Sequence, residues 1–486
     1  MTEPAAPPRS RVRRIVGVAI GLVVLSWLPE PSVAVPPGPD GRAFAWDADA
    51  MFAELKRRFE TSREHGCVDA TDELEPLLAA LEREPPAPDD AAWDRLQQHL
   101  FERFADAGAC PDRIGELLAL RARVRTVAKR ASRAWPPGPK TRDRLYRLLY
   151  GSRAALEEVL LQLRPDDVPT LEHGTEVASA TPSLVIEGVR VHSGDILLSR
   201  GGAPTSAFIA RGNDYPGNFS HVALVHVDAR TGEGAVIEAH IERGVAITDA
   251  AGYLADKKLR IAVLRLRADH PALLADPLLP HRAAAAALHE ARARHIPYDF
   301  AMDIADHRAQ FCSEVAAAAY EAHGVRLWDQ LSTFSSGGLA RWMAALGVRE
   351  LQTQAPADLE YDPALDVVAE WHDARTLLDD HIDNAAIDAM LEQAEAGAVL
   401  EHDWRLLPLA RAMKAYSAVR VLLGGEGPIP EGMSATVGLR AQWLAARHGA
   451  IRERVREAVA RAQIESGATP PYWELVALAR EAAAAQ

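Results

Sequence analysis

The chain predicts an α+β fold: a small antiparallel sheet with packed helices, flanked by N-terminal and C-terminal all-helical regions. Three observations predict it. Short β-rich runs begin near residue 183 and are separated by glycine-bearing turns. Two helical stretches follow them, near 279–295 and 312–323. Leucine stripes at helical spacing fill the chain on both sides. Strands followed by helices in this way suit a sheet packed against helices on one side.

Length and composition bound the rest. The 486 residues suffice for two or three domains. With 48% hydrophobic and 25% charged residues, wholesale disorder is excluded. A formal net charge of −14 argues against a non-specific nucleic-acid binder. Three cysteines exclude a disulfide scaffold and a Cys-rich zinc site.

At the N-terminus, Arg9, Arg11, Arg13 and Arg14 precede an apolar run over 15–28. Pro29 ends the run, and Ser32-Val33-Ala34 offers a small-x-small cleavage site. This is the layout of a secretory signal peptide over 1–34. The run is shorter than the ~20 residues of a spanning helix, and retention as an N-terminal membrane tether is the alternative. The expected location is the periplasm or cell envelope. There Cys67 and Cys110 can pair, leaving Cys312 as the odd thiol; three unpaired thiols is the other reading.

Residues 35–45, rich in Pro and Gly, read as a linker, and 46–165 as a helical domain. Its stripes are Leu74, Leu77, Leu78 and Leu81, then Leu96, Leu100, Phe101 and Phe104, then a leucine series from Leu145 to Leu163. Prolines at 85, 86 and 88 and at 136, 137 and 139 break the segments. Over 183–345 the β-rich runs are 184–191, 195–199, 221–227, 235–240 and 260–266. From 360 to 486 the chain again reads as helical. Leu365, Val368, Trp371, Leu377 and Leu378 suggest one face, and Leu406, Leu407, Leu409, Met413 and Val419 another. His372 and His381 with Asp379, Asp380 and Asp383 read as a solvated acidic helical patch.

The chemistry concentrates in the middle. Cys312 directly precedes an alanine-rich helical run, where unpaired backbone N–H groups and the helix dipole stabilise a thiolate. His221 opens a strand, and a thiol nucleophile needs an imidazole to take and return its proton. Glu238 interrupts the next apolar strand, after the 230–234 turn, and is placed to orient that ring if both share a face. A one-residue slip would move Glu238 to the other face; His240 lies two residues on, shares Glu238's face and is a second candidate orienter. No phosphate loop or His-Glu-x-x-His zinc pair occurs, so no cofactor or metal is expected.

The pieces Gly194-Asp195-Ile196-Leu197, Ser220-His221, Ile237-Glu238-Ala239, Pro297-Tyr298-Asp299-Phe300 and Phe311-Cys312-Ser313-Glu314, in this order, resemble the permuted papain-like amidases of the YiiX/YaeF type. These are circularly permuted relatives of the NlpC-type cell-wall peptidases, with histidine before cysteine. The resemblance covers about 183–345. It implies Cys312 as nucleophile, His221 as general base and acid, and Glu238 as orienter. Tyr298 resembles an active-site tyrosine whose phenol stabilises an oxyanion beside the Cys312 N–H. Asp195 falls in the family's Gly-Asp turn, with a capping role.

The function expected is an exported cysteine amidase or peptidase working through an acyl-thioester on a peptide or acyl-amide substrate, with cell-wall peptidoglycan as candidate. One alternative is a lipid acyltransferase or esterase of the lecithin:retinol acyltransferase-like kind, on the same permuted fold. Another is a non-catalytic binding module whose helical flanks block the cleft.

Overall fold

The computed structural model describes residues 27–28, 44 and 50–485, except 67–72, 109 and 329. Most of the signal or anchor segment, most of the linker and Cys67 lie outside the described residues.

The protein is α+β, built on one seven-stranded sheet. In chain order its strands are β1 (Leu171–His173), β2 (Ile196–Gly201), β3 (His221–Val227), β4 (Gly234–His240), β5 (Gly244–Thr248), β6 (Lys258–Leu266) and β7 (Leu365–His372). They lie side by side as β1-β7-β6-β2-β3-β4-β5, and every neighbouring pair is antiparallel. Both faces are covered. Ile196, Leu198, Val222, Leu224 and Ile237 share a core with Val315 and Ala316 of the helix Cys312–Glu321. Leu197, Ala223, Val225 and Val236 pack on the other face against Ile186, Val191 and Tyr253. Two-sided burial leaves every residue of β6 buried, Lys258, Arg260 and Arg265 included.

Helices Ala91–Ala107, Ile114–Ser132 and Ser152–Leu160 come from the leucine-striped N-terminal segment. Leu96, Leu100, Phe101 and Phe104 are all buried there, in the same core as the sheet. Pro139 begins the helix Pro139–Tyr146 instead of ending one, as its fixed φ permits. C-terminal to β7, the helices Leu377–Glu395, Ala435–Ser466 and Tyr472–Ala484 build a second core around Ile387, Met390, Ile451 and Leu475.

Several sequence expectations change. The run 184–191 is not one strand but a hairpin, Ser183–Ile186 with Val189–His192. Glu187 and Gly188, both at positive φ (48° and 79°), make its two-residue turn. Residues 365–372 are strand, not helix. The pairing of β7 with β6 shifts between Val367 and Ala369, and this bulge breaks the alternation that would have marked a strand. The expected solvated acidic patch is interior: His372, His381, Asp380 and Asp383 are all buried. The stripe through Leu407 and Val419 is not one buried face, since Leu407 is buried while Leu406, Leu409 and Val419 are exposed.

Candidate active site

Phe311 has extended backbone (φ −93°, ψ 174°), and the helix begins at Cys312. Cys312 is a free thiol, 5% exposed. As the first helical residue it stands among the unpaired N–H groups of the first turn. Glu314 reaches back, its carboxylate accepting the Phe311 N–H at 2.9 Å, which holds the strand-to-helix corner. The segment before it is also tied down. Gln310 N–H donates to the Pro297 carbonyl at 2.9 Å, Asp299 N–H donates to the Gln310 carbonyl at 3.2 Å, and Tyr298 bridges Gln310. Tyr298 is thereby pinned beside the cysteine helix, with its ring edge-on to Phe300 at 5.0 Å between centroids. Burial first, then the nearby Cys312 charge, push its phenol well above the ordinary tyrosine range. It remains an O–H donor.

His221 begins β3 opposite Ser199 of β2. Pairing of β3 with β4 sets Ala223 opposite Glu238, so Glu238 lies diagonal to His221 on the same face. Asp228 stabilises the intervening turn, its carboxylate accepting the Arg230 and Thr231 N–H groups at 2.8 and 3.0 Å. His221 Nε2 is 2.7 Å from Glu238 Oε2. The other oxygen, Oε1, is 3.1 Å from His240 Nε2. The two rings stand 5.8 Å apart between centroids, so Glu238 separates the histidines.

Electrostatics follow from these contacts. Burial alone pulls the His221 ring down, but hydrogen bonds and charge from Cys312 and Glu238 outweigh it and raise the ring to about 9. Burial pushes Glu238 up, yet hydrogen bonds to His221 and His240 dominate and hold its carboxyl well below the ordinary range. Glu314, given no role by the sequence, is pushed up to about 9, chiefly by burial and then by Asp299, Asp303 and Cys312, against the Phe311 N–H. His307 Nδ1 lies 3.2 Å from its Oε1. Its position three residues after the N-cap was the available signal.

Thus Cys312, His221, Glu238 and Tyr298 come to one place, with His240 behind Glu238. Asp195 stays apart. It accepts the His192 N–H at 2.7 Å and clamps Arg265 with both oxygens at 2.8 and 2.7 Å, a structural role. Cys110 is buried and disulfide-bonded. A cavity of about 470 Å³ lies elsewhere, between the N-terminal and C-terminal helices, with Phe59, Phe104, Tyr146 and Trp473 in its wall. No candidate site residue lines it.

No curated protein and no solved structure matches the chain. Residues 190–369 match the family described as permuted papain-like amidase enzyme, YaeF/YiiX, C92 family. That span begins within the hairpin at Arg190 and ends within β7 at Ala369. Over these residues the chain is similar to the permuted papain-like amidases of the YaeF/YiiX family.

Proposed function

We propose that the protein is an exported cysteine amidase or peptidase with Cys312 as nucleophile, His221 as base and acid, and Glu238 as orienter. The observation that carries this reading is the 2.7 Å pairing of His221 Nε2 with Glu238 Oε2, on a ring whose proton affinity the nearby Cys312 also raises. Glu238 occupies Nε2, which leaves Nδ1 to take the thiol proton. The Cys312 thiolate adds to the substrate carbonyl carbon. The resulting oxyanion accepts from the Cys312 N–H and the Tyr298 phenol. Collapse of this intermediate breaks the C–N bond, and the imidazolium delivers its proton to the departing amine. The acyl group is left as a thioester on Sγ. His221 then takes a proton from water, hydroxide adds to the thioester, and the acid leaves as Cys312 is regenerated.

Export is supported by the arginine-headed apolar run before the cleavage-like Ser32-Val33-Ala34 and by the disulfide at Cys110. An exported amidase has cell-wall peptides within reach, and we take peptidoglycan fragments as the first substrates to offer. The test is thiol labelling with iodoacetamide from about pH 4 to about pH 9, in wild type and His221→Ala, with the labelled site identified by mass spectrometry. Rapid labelling of Cys312 near neutral pH, slowed by His221→Ala, is expected. Labelling of Cys312 only after denaturation would refute the catalytic pair.

A further inference from the structure

The helix Leu407–Leu422 buries only one side. Leu407 and Ala410 pack with Ile429, Ala435 and Leu439. The other side carries Leu409, Tyr416, Val419, Leu422 and Leu423, all exposed, with Leu422 at 85% and Leu423 at 78%. Leu409, Tyr416 and Leu423 recur at heptad spacing and Val419 falls between, so they form one stripe. Exposed Trp404 and Leu406 extend it at the N-terminal end. A contiguous apolar face of this kind marks an interaction surface.

Three features say what covers it. Residues 404–423 contain Arg405, Arg411, Lys414 and Arg420 and no Asp or Glu, within a chain of net charge −14. Trp27, Trp404 and Tyr416, all exposed, supply the aromatic types that favour a bilayer interface. The N-terminal apolar run also ends at this patch. Trp27 meets Trp404 edge-on at 5.2 Å between centroids, and Arg411 donates to the Leu28 carbonyl at 2.5 Å. The arginine-headed run over 15–28 is thus covalently continuous with the edge of the apolar face.

We propose that the exposed face of Leu407–Leu422 lies on an anionic phospholipid bilayer, together with the adjoining Trp27 and Trp404. A basic amphipathic helix binds such a surface by apolar burial at the headgroup boundary and by attraction to anionic lipid. No helix among the described residues is long and apolar enough to cross a membrane, so this helix lies on the surface. The inference is independent of the catalytic reading.

Hydrogen–deuterium exchange on the full chain tests it. The probes are vesicles of phosphatidylglycerol with phosphatidylethanolamine, vesicles of phosphatidylcholine alone, and no vesicles. On the anionic vesicles, peptides covering 404–423 should exchange roughly tenfold more slowly, with less protection on phosphatidylcholine. The double variant Val419→Glu/Leu423→Glu should lose that protection with an unchanged thermal midpoint, since both side chains are exposed. A chain that floats with vesicles but shows no protection at 404–423 overturns the proposal. So does a chain that floats with neither vesicle. Protection that appears without vesicles and grows with protein concentration also overturns it, and assigns the face to a second copy.

Discussion

Two clusters of buried charge do different things in this molecule. At Glu370, on β7, arginines from three elements converge. Arg153 lies at 2.7 Å, Arg121 at 3.0 Å, Arg125 at 3.5 Å and Arg260 at 3.5 Å. The same arginines hold further carboxylates: Arg153 pairs with Glu360, Arg121 with Glu172, and Arg260 with Glu157 and Asp380 at 2.6 and 3.0 Å. Burial would push Glu370 up, but Arg153 and Arg121 overcome it and keep its carboxyl well below the ordinary range. Arginine does not give up its proton in proteins, so this cluster is a fixed clamp joining the N-terminal helices, the sheet and the C-terminal helix. Glu238 is also buried and also held low, but its partners are imidazoles. Their charge depends on a proton that can move. Equal burial yields a clamp in one place and a proton-holding pair in the other because the partners differ in whether they titrate.

Breaking each cluster should therefore give different losses. Cys312→Ala should lower amidase turnover by about 10⁴-fold or more while leaving the thermal midpoint nearly unchanged, measured by turnover and melting on one preparation. Glu370→Gln should do the opposite. It leaves buried arginines short of an anion and should cost about 3–5 kcal/mol in denaturant unfolding, with Cys312 reactivity retained in the folded fraction. Glu238→Gln keeps the shape but removes the charge, and kcat should fall about 10³-fold. Tyr298→Phe should reduce kcat about 10²-fold with little change in KM, as loss of an oxyanion donor does.

The smallest effect is a pH dependence of stability. His221 rises from 6.5 to about 9 on folding. Its charged ring then contributes stability that is complete below 6.5 and is lost as pH climbs through about 9. Thermal midpoints of wild type and His221→Ala across that window should converge at its alkaline end. An Arg-based clamp predicts no such convergence for Glu370→Gln.

Legibility in the sequence followed the range of the physical signal. Cys312 at a helix start and His221 at a strand start are visible because a few neighbouring residues set each local conformation. The diagonal placement of Glu238 was conditional on register, which the pairing of Ala223 with Glu238 supplies. Sharing of Glu238 with His240 was not legible as such, since the pattern offered the two as rival orienters. The strand at 365–372 was misread because a bulge spoils its period. The burial of Asp380 and His381 was missed because the arginines that receive Asp380, Arg200 and Arg260, come from β2 and β6. Helix Leu407–Leu422 has apolar residues on both sides, and composition does not say which side the protein itself covers.

By itself the sequence determined the α+β class, the permuted order of histidine, glutamate, tyrosine and cysteine, and the backbone setting of each. Those depend on φ/ψ preferences and hydrophobic periods spanning a few residues. Only the tertiary structure decided that Glu238 stands between two histidines, that Glu370 gathers four arginines, and which side of the 407–422 helix is left bare. Those outcomes depend on groups far apart in sequence, up to 249 positions for Arg121 and Glu370, whose meeting is set by packing and not by local pattern.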